Sequence, residues 1–167
     1  MPGPSHPPAR VLALDLGECR TGIALSDPSA TLATPLETVR LRPAALLQHI
    51  VNLTRDHDVK VVVIGVPLRP SGEQGGIASL AGYIAAELRA RLSVEVVLWD
   101  ETLTTWEAEQ RLRETKAKGP RAAARRGRPR RAASRDAKGE IDRMAAAVIL
   151  QDYLDTRRRE GSERGER

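Results

Sequence analysis

Apolar runs alternate with amphipathic stretches along the chain, and this alternation predicts the order of its strands and helices. Two short apolar runs, residues 11–14 and 23–26, flank a polar turn and predict a β-hairpin. A weaker run over residues 31–39 contains Pro35, which is typical of an edge strand. The β-branched run over residues 59–66 predicts a central strand that is covered on both faces.

Helical periodicity fills the intervals between these strands. Apolar residues at spacings of three and four predict helices over residues 43–58 and 77–88. A fifth strand is predicted over residues 94–99, and a capping-box spacing then predicts a helix from Thr104 to about Lys116. The last helix is predicted over residues 140–157. Together these elements predict a single α/β domain with a mixed sheet.

The composition limits how the 167 residues are organised, because this length allows one domain with a real core. We expect a flexible N-terminal segment over residues 1–9, the domain over residues 10–157, and a charged tail over residues 158–167. The proline-rich start has no apolar core of a signal peptide. Cys19 is the single cysteine and excludes an internal disulfide. No run approaches the roughly 20 apolar residues of a membrane span, so a cytoplasmic protein is expected.

Positive charge is concentrated between Lys116 and Lys138. This segment has ten basic residues and one acidic residue, a net charge of +9, whereas the whole chain carries +5, so the remainder carries −4. It lacks aliphatic periodicity, which predicts a mobile basic insertion over residues 117–139. Such a charge density favours nucleic-acid binding over a functionless solvated loop. The candidate contact residues in it are Arg121, Arg125, Arg126, Arg128, Arg130 and Arg131.

Acidic residues occupy the ends of two predicted strands, Asp15 after the first and Glu101 after the fifth. Sites in α/β sheets form beyond the carboxyl ends of the strands. Asp142, in the first turn of the predicted last helix, is expected to pack against the same edge. Three converging carboxylates repel one another unless cations neutralise them, and oxygen ligands favour Mg²⁺ or Mn²⁺ over zinc. The expected chemistry is two-metal phosphodiester cleavage.

Two of these assignments have alternatives. A helix dipole alone would favour Asp142 near a helix N-terminus, without any catalytic role. Asp100 competes with Glu101, and since adjacent strand residues point to opposite faces, only one of them is expected to enter the site.

Five motifs in order resemble the YqgF/RuvX family of Holliday junction resolvases, which is related to RuvC. They are LALDLGECRTGIALSD, VVVIGVPL, SGEQG, WDETLTTWEA and IDRMAAAVILQDYL, and they span roughly residues 10–154. The resemblance implies an RNase H-like fold, a mixed five-stranded sheet of order 3-2-1-4-5 flanked by helices. It also implies that Asp15, Glu101 and Asp142 are the catalytic metal ligands, with Mg²⁺ or Mn²⁺ as two bound ions.

The same resemblance implies cleavage of structured nucleic acid, with two competing substrates. One is the four-way DNA junction, for which a homodimer would suit the two-fold symmetry. The other is the immature 5′ end of 16S ribosomal RNA. The family usually has Asp-Glu-Arg where this chain has Asp100, Glu101 and Thr102, so Arg20 or the basic insertion is expected to supply the missing phosphate contact.

Two rival functions come from other classes. The spacing of Asp15, Gly17 and Gly22 also resembles the phosphate loop of actin-like and sugar-kinase ATPases, but those enzymes hold nucleotide between two such domains and this chain has the length of one. The second rival is a non-catalytic nucleic-acid-binding module that uses the arginine-rich segment. It predicts salt-sensitive binding that does not depend on Asp15.

Overall fold

The computed structural model describes residues 9–66, 76–100 and 130–164, with side chains undescribed in residues 130–140 and 163–164. The strands are β1 Arg10–Leu16, β2 Thr21–Ser26, β3 Ala33–Val39, β4 Val59–Val66 and β5 Glu95–Asp100. The helices are α1 Pro43–Asp56, α2 Gly76–Arg91 and α3 Arg130–Arg164. The helix predicted from Thr104 lies outside the described residues. None of the described helices has the length and hydrophobicity needed to cross a membrane.

The five strands form one mixed sheet in the order β3-β2-β1-β4-β5. β1 pairs antiparallel with β2 and parallel with β4, which in turn pairs parallel with β5. β3 pairs antiparallel with β2 and is an edge strand among the described residues, where Pro35 is tolerated because β3 pairs with no other described strand. All five predicted strands and the predicted order are confirmed.

Helices cover both faces of the sheet and produce two apolar cores. Leu12 and Leu14 of β1 pack with residues of α1 and α2, whereas Val11 and Ala13 pack with residues of α3. β4 divides in the same way, with Val62 on one face and its neighbours on the other. Burial of both faces explains why these strands are continuously apolar and do not alternate with polar residues.

Helix α3 begins at Arg130, ten residues before the predicted start at Glu140. The predicted basic loop is therefore helical from Arg130 onward, and the charged tail is helical as far as Arg164. Residues 130–138 have no apolar periodicity, but they consist mainly of Ala and Arg, which are strong helix formers. Asp142 consequently lies in the interior of the helix. The helix-dipole explanation for it is wrong, because that effect is confined to the first turn.

Hydrogen bonds fasten α3 to the sheet on two sides. The Gln151 side chain accepts a bond from the Ala33 N–H at 2.9 Å and donates one to the Thr31 carbonyl at 3.1 Å. On the other side, the Trp99 indole N–H donates to Asp152 at 2.9 Å. These contacts fix how α3 crosses the strands, so residues in its middle have a defined position over β1 and β2.

The backbone of α3 approaches the sheet very closely at Gly22. A Cβ added at Gly22 would lie 2.1 Å from the carbonyl oxygen of Asp142 and 2.5 Å from its carbonyl carbon. Real Cβ atoms do not approach backbone this closely, so the helix can rest at this height only above a glycine. In the comparison with the phosphate loop of ATPases, Gly22 belongs to that loop; in the structure it lies within β2 and faces a helix.

Replacing Gly22 with alanine tests this contact. We expect Gly22→Ala to lower the free energy of unfolding by about 1–3 kcal/mol, the usual cost of overpacking, because backbone atoms must move. Gly82→Ala is the matched control, since a Cβ at Gly82 in α2 meets nothing within 4 Å. It should raise stability by about 0.5–1 kcal/mol through helix propensity. Urea unfolding followed by circular dichroism measures both, and equal effects of the two substitutions would contradict the close approach.

Candidate active site

Asp15 stands in a row of residues that crosses the sheet on the side of α3. In the strand pairing, Asp15 is opposite Gly22 on β2 and Gly65 on β4, and Gly65 is opposite Trp99 on β5. Paired residues share a face, so the Asp15 carboxylate lies between two positions that have no side chain. The carboxylate therefore has no side chain on either flank within the sheet, close to the carboxyl end of β1, and the backbone of α3 fills the space above Gly22.

Asp142 enters the same region from α3, directly above Gly22. Burial raises the pKa of Asp15 from its ordinary value of 3.8 to about 6, and the negative charge of Asp142 is the second cause of this increase. The structure thus brings together two of the three carboxylates that the sequence singled out. A nearby positive charge would reduce the repulsion between these two carboxylates.

Arg20 supplies one positive charge. It directly precedes β2, after a tight turn in which the Gly17 N–H donates to the Arg20 carbonyl at 2.8 Å. Its Nε lies 3.3 Å from Asp142 Oδ2, and the two side chains are only 12% and 25% exposed. Within the described residues, however, neither the buried Arg20 Nη1 nor the buried Asp142 Oδ2 makes a hydrogen bond. The ion pair is close but poorly aligned.

The third predicted ligand, Glu101, lies outside the described residues. Its competitor Asp100 ends β5, and the alternation of that strand places it on the face of Val96, which packs in the core beneath α1 and α2. Asp15 faces α3, on the opposite side of the sheet, so Asp100 does not share its face. In addition, β4 separates β5 from β1. Glu101 stays a prediction.

The predicted nucleic-acid contacts fall in three places. Arg20 is in the site itself, bound to Asp142. Arg130 and Arg131 lie in the first turn of α3, and their side chains are not described. The remaining predicted contacts lie outside the described residues: Arg121, Arg125, Arg126 and Arg128.

The donors present suit a divalent cation. Carboxylate oxygens are the ligands that Mg²⁺ and Mn²⁺ prefer, and Asp142 Oδ2 is buried with no hydrogen-bond partner among the described residues. The described residues contain no cluster of three His, Cys, Asp or Glu side chains that could hold a metal ion. Asp15 and Asp142 therefore fit a cation as a pair that needs at least one further ligand.

Sequence reasoning missed two parts of this site. The Arg20–Asp142 pair joins the hairpin to the last helix, and no local pattern records a contact between segments so far apart. The role of Gly22 could have been predicted, because it is the glycine opposite Asp15 in the predicted hairpin and lies on a face that a helix has to cover.

The sheet order, with two helices on one face and α3 on the other, defines an RNase H-like fold. RuvC of T. thermophilus in complex with Holliday junction substrate matches with a TM-score of 0.53 at 14% identity, covering 89% of this chain and 95% of that one. A Fowlpox virus resolvase with Holliday junction DNA matches with a TM-score of 0.51 at 9% identity, covering 88% and 97%. At these identities the likeness shows the fold alone.

Sequence comparison identifies the family. The family model RuvX, described as a Holliday junction resolvase, matches residues 9–156, so the chain belongs to the RuvX family. A protein of Roseiflexus sp. (strain RS-1), named as a candidate pre-16S rRNA nuclease, is 40% identical over 155 residues, 92% of this chain and 99% of the relative. A relative of the same name from Anaeromyxobacter dehalogenans (strain 2CP-C) is 40% identical, over 89% of this chain and 98% of the relative. Both descriptions name nucleases.

The raised pKa of Asp15 predicts how stability depends on pH in a metal-free buffer. Because this pKa is about 6 in the folded protein and 3.8 ordinarily, folding disfavours the ionised form. The Asp15 contribution is therefore most favourable below about pH 4 and is lost as the pH rises through about 6. Asp15→Asn should remove this loss. At about pH 8 its free energy of unfolding should exceed that of the wild type by on the order of 3 kcal/mol, and near pH 4 the two values should converge.

Urea unfolding across this pH range, with a chelator present, measures the difference. The control is Asp56→Asn, which neutralises an exposed carboxylate at the end of α1 and should run parallel to the wild type. A parallel curve for Asp15→Asn as well would contradict the burial of this carboxylate.

Proposed function

We propose that the protein is a metal-dependent endonuclease that cleaves phosphodiester bonds in structured nucleic acid. The observation that carries this proposal is the pair of carboxylates, Asp15 and Asp142, held together where β1 ends and short of positive charge. A protein has little structural reason to hold two partly buried, repelling carboxylates at the end of its central strand, because apolar residues would stabilise it more. Perturbed pKa values of this kind concentrate at functional sites.

Asp15 and Asp142 would hold Mg²⁺ or Mn²⁺, with Glu101 as the third ligand and two ions as the expected number. When bound, such ions activate water and stabilise the departing oxygen of the phosphodiester. The protein's own contribution is to fix the two carboxylates on rigid elements, Asp15 by the sheet and Asp142 by α3. Rigid placement of ligands is what this chemistry requires of a scaffold.

The substrate we put first is the four-way DNA junction. The description of the RuvX family as a Holliday junction resolvase supports it. A homodimer would present two such sites to a junction with two-fold symmetry, and each would make one nick. The second candidate is precursor 16S ribosomal RNA, which the names of the 40%-identical relatives favour. Both substrates use the same hydrolytic chemistry.

The basic segment would bind the phosphate backbone away from the cut. Arg131 precedes Asp142 by eleven residues on α3, which at a rise of 1.5 Å per residue is about 17 Å along the helix. This distance corresponds to about five base pairs of B-form DNA at 3.4 Å each. A contact made near Arg131 would therefore position the duplex at a distance from the scissile phosphate.

Salt dependence tests this role. Changing Arg125, Arg126 and Arg128 together to Gln should weaken binding to a four-way junction and lower the slope of log affinity against log salt by about 0.9 for each phosphate that the protein no longer neutralises. The matched control changes three exposed arginines near the start and end of α1, which should leave the slope unchanged; they are Arg40, Arg42 and Arg55. Fluorescence anisotropy over a series of salt concentrations gives both slopes. Equal slopes in the two triple variants would contradict the proposed contact between the basic segment and nucleic acid.

Cleavage tests the catalytic proposal. End-labelled four-way junction, matched duplex and precursor 16S RNA are incubated with Mn²⁺ and wild-type protein, Asp15→Asn or Asp56→Asn. Asp15→Asn should lose well over about 100-fold in rate, the loss that disturbance of a metal's outer shell already causes, because it removes a ligand. Asp56→Asn should cleave like the wild type.

The cleavage pattern separates the candidate functions. Paired symmetric nicks in the junction alone would support the resolvase, and cleavage of the RNA alone would support rRNA processing. Binding without cleavage of any substrate would overturn the catalytic proposal in favour of a nucleic-acid-binding module. Because Asp15→Asn is expected to be more stable than the wild type at neutral pH, unfolding would not explain its loss of activity.

A further inference from the structure

Arg20 lies mostly buried against the carboxylate that the proposed reaction assigns to a metal ion. Its side chain is 12% exposed, and Nε lies 3.3 Å from Asp142 Oδ2. Taking a guanidinium out of water is costly, so a buried arginine normally has well-formed hydrogen bonds to its partner. Here the guanidinium contacts a carboxylate that is a metal ligand in the proposed function.

The pair is incomplete on both sides. A strong arginine–carboxylate pair makes two parallel hydrogen bonds. In the described part of the chain, by contrast, Arg20 Nη1 and Asp142 Oδ2 are both buried and neither makes a hydrogen bond. Each such atom carries the cost of lost solvation without compensation. The acidic oxygen thus retains its capacity to bind a cation, and the guanidinium retains a donor for an anionic oxygen.

We propose that Arg20 is an internal counter-cation of Asp142 that a divalent ion displaces, and that the released guanidinium then binds a phosphate of the nucleic acid. This inference rests on the proposed metal centre and adds a competition to it. Arg20 and the metal ion share Asp142, so the apparent metal affinity is reduced by the fraction of molecules in which the pair is closed.

Competition at Asp142 couples the metal to the nucleic acid. A phosphate that draws Arg20 away from Asp142 frees a ligand for the metal, and a bound metal frees Arg20 for the phosphate. By thermodynamic reciprocity, each ligand then raises the affinity of the other by the same factor. The site would therefore take up its metal most strongly when substrate is present.

The test measures Mn²⁺ binding to the full chain without nucleic acid, by isothermal titration calorimetry at about pH 8. Arg20→Gln should bind Mn²⁺ roughly tenfold more tightly than the wild type, because the competing charge is gone. Arg20→Lys keeps the charge and should stay close to the wild type. Arg89→Gln is the control, since Arg89 is an exposed arginine that donates to the Val96 carbonyl at 2.7 Å on the other face of the sheet. It should not change Mn²⁺ affinity.

A merely structural ion pair gives a different result. Its loss would destabilise the protein and leave Mn²⁺ affinity unchanged or weaker, and either outcome in Arg20→Gln overturns the inference. Junction affinity measured with Ca²⁺ adds a second readout, because Arg20→Gln should bind the junction more weakly while it binds Mn²⁺ more tightly. Opposite shifts of the two affinities are expected if Arg20 serves both ligands.

Failure of the inference can be told apart from failure of the metal centre. If Asp15→Asn binds Mn²⁺ as the wild type does, the metal centre itself is wrong. If Asp15→Asn loses Mn²⁺ binding and Arg20→Gln is unchanged, the centre stands and the competition is refuted. Should Arg20→Gln fail to fold, solvent exchange of the Arg20 Nε–H in the wild type decides. Mg²⁺ should accelerate this exchange, and an unchanged exchange rate would refute the displacement.

Discussion

The acidic site depends on the absence of a side chain at Gly22. This residue is the cross-strand partner of Asp15, and α3 passes over it so closely that the Asp142 carbonyl occupies the space of a Cβ. A larger residue would lift the helix and carry Asp142 away from Asp15. The same contact limits how closely α3 approaches the sheet. Farther along the helix, the hydrogen bonds of Gln151 hold it in place again. One glycine thus sets the distance between two carboxylates that come from opposite ends of the chain.

Holding these carboxylates together lowers stability, and the structure offsets this cost only in part. Burial and the charge of Asp142 raise the pKa of Asp15, and Arg20 neutralises Asp142 through a poorly aligned contact. Elsewhere the two cores consist mainly of buried apolar residues, so the repelling carboxylates stand apart from them at the end of β1. Local conflict of this kind is expected where a protein binds or reacts and not where it only folds. A cation that binds to this site only in the folded protein would add to stability.

The sequence predicted the strands well because their burial on both faces produces unbroken apolar runs, as in β4. The order of the strands followed from the resemblance to a family and not from periodicity. The predicted start of α3 was wrong because it was placed where an apolar stripe begins. Residues 130–139 have helix propensity but no apolar stripe. The Arg20–Asp142 pair was not predictable, since ion pairs between distant segments leave no local pattern. The face of Asp100 followed only once the partners of Val96 were known.

The length of α3 links the two parts of the proposed interface. Its first turn carries Arg130 and Arg131, its interior carries Asp142, and its later turns are fastened to the sheet through Gln151. A continuous helix is rigid, so the rise per residue fixes the distance between the proposed contact with the phosphate backbone and the acidic site. A mobile loop, as the composition suggested, would have left that spacing undefined. If the proposed contacts are made, this rigid spacing would favour nucleic acid that can present phosphates at both points together.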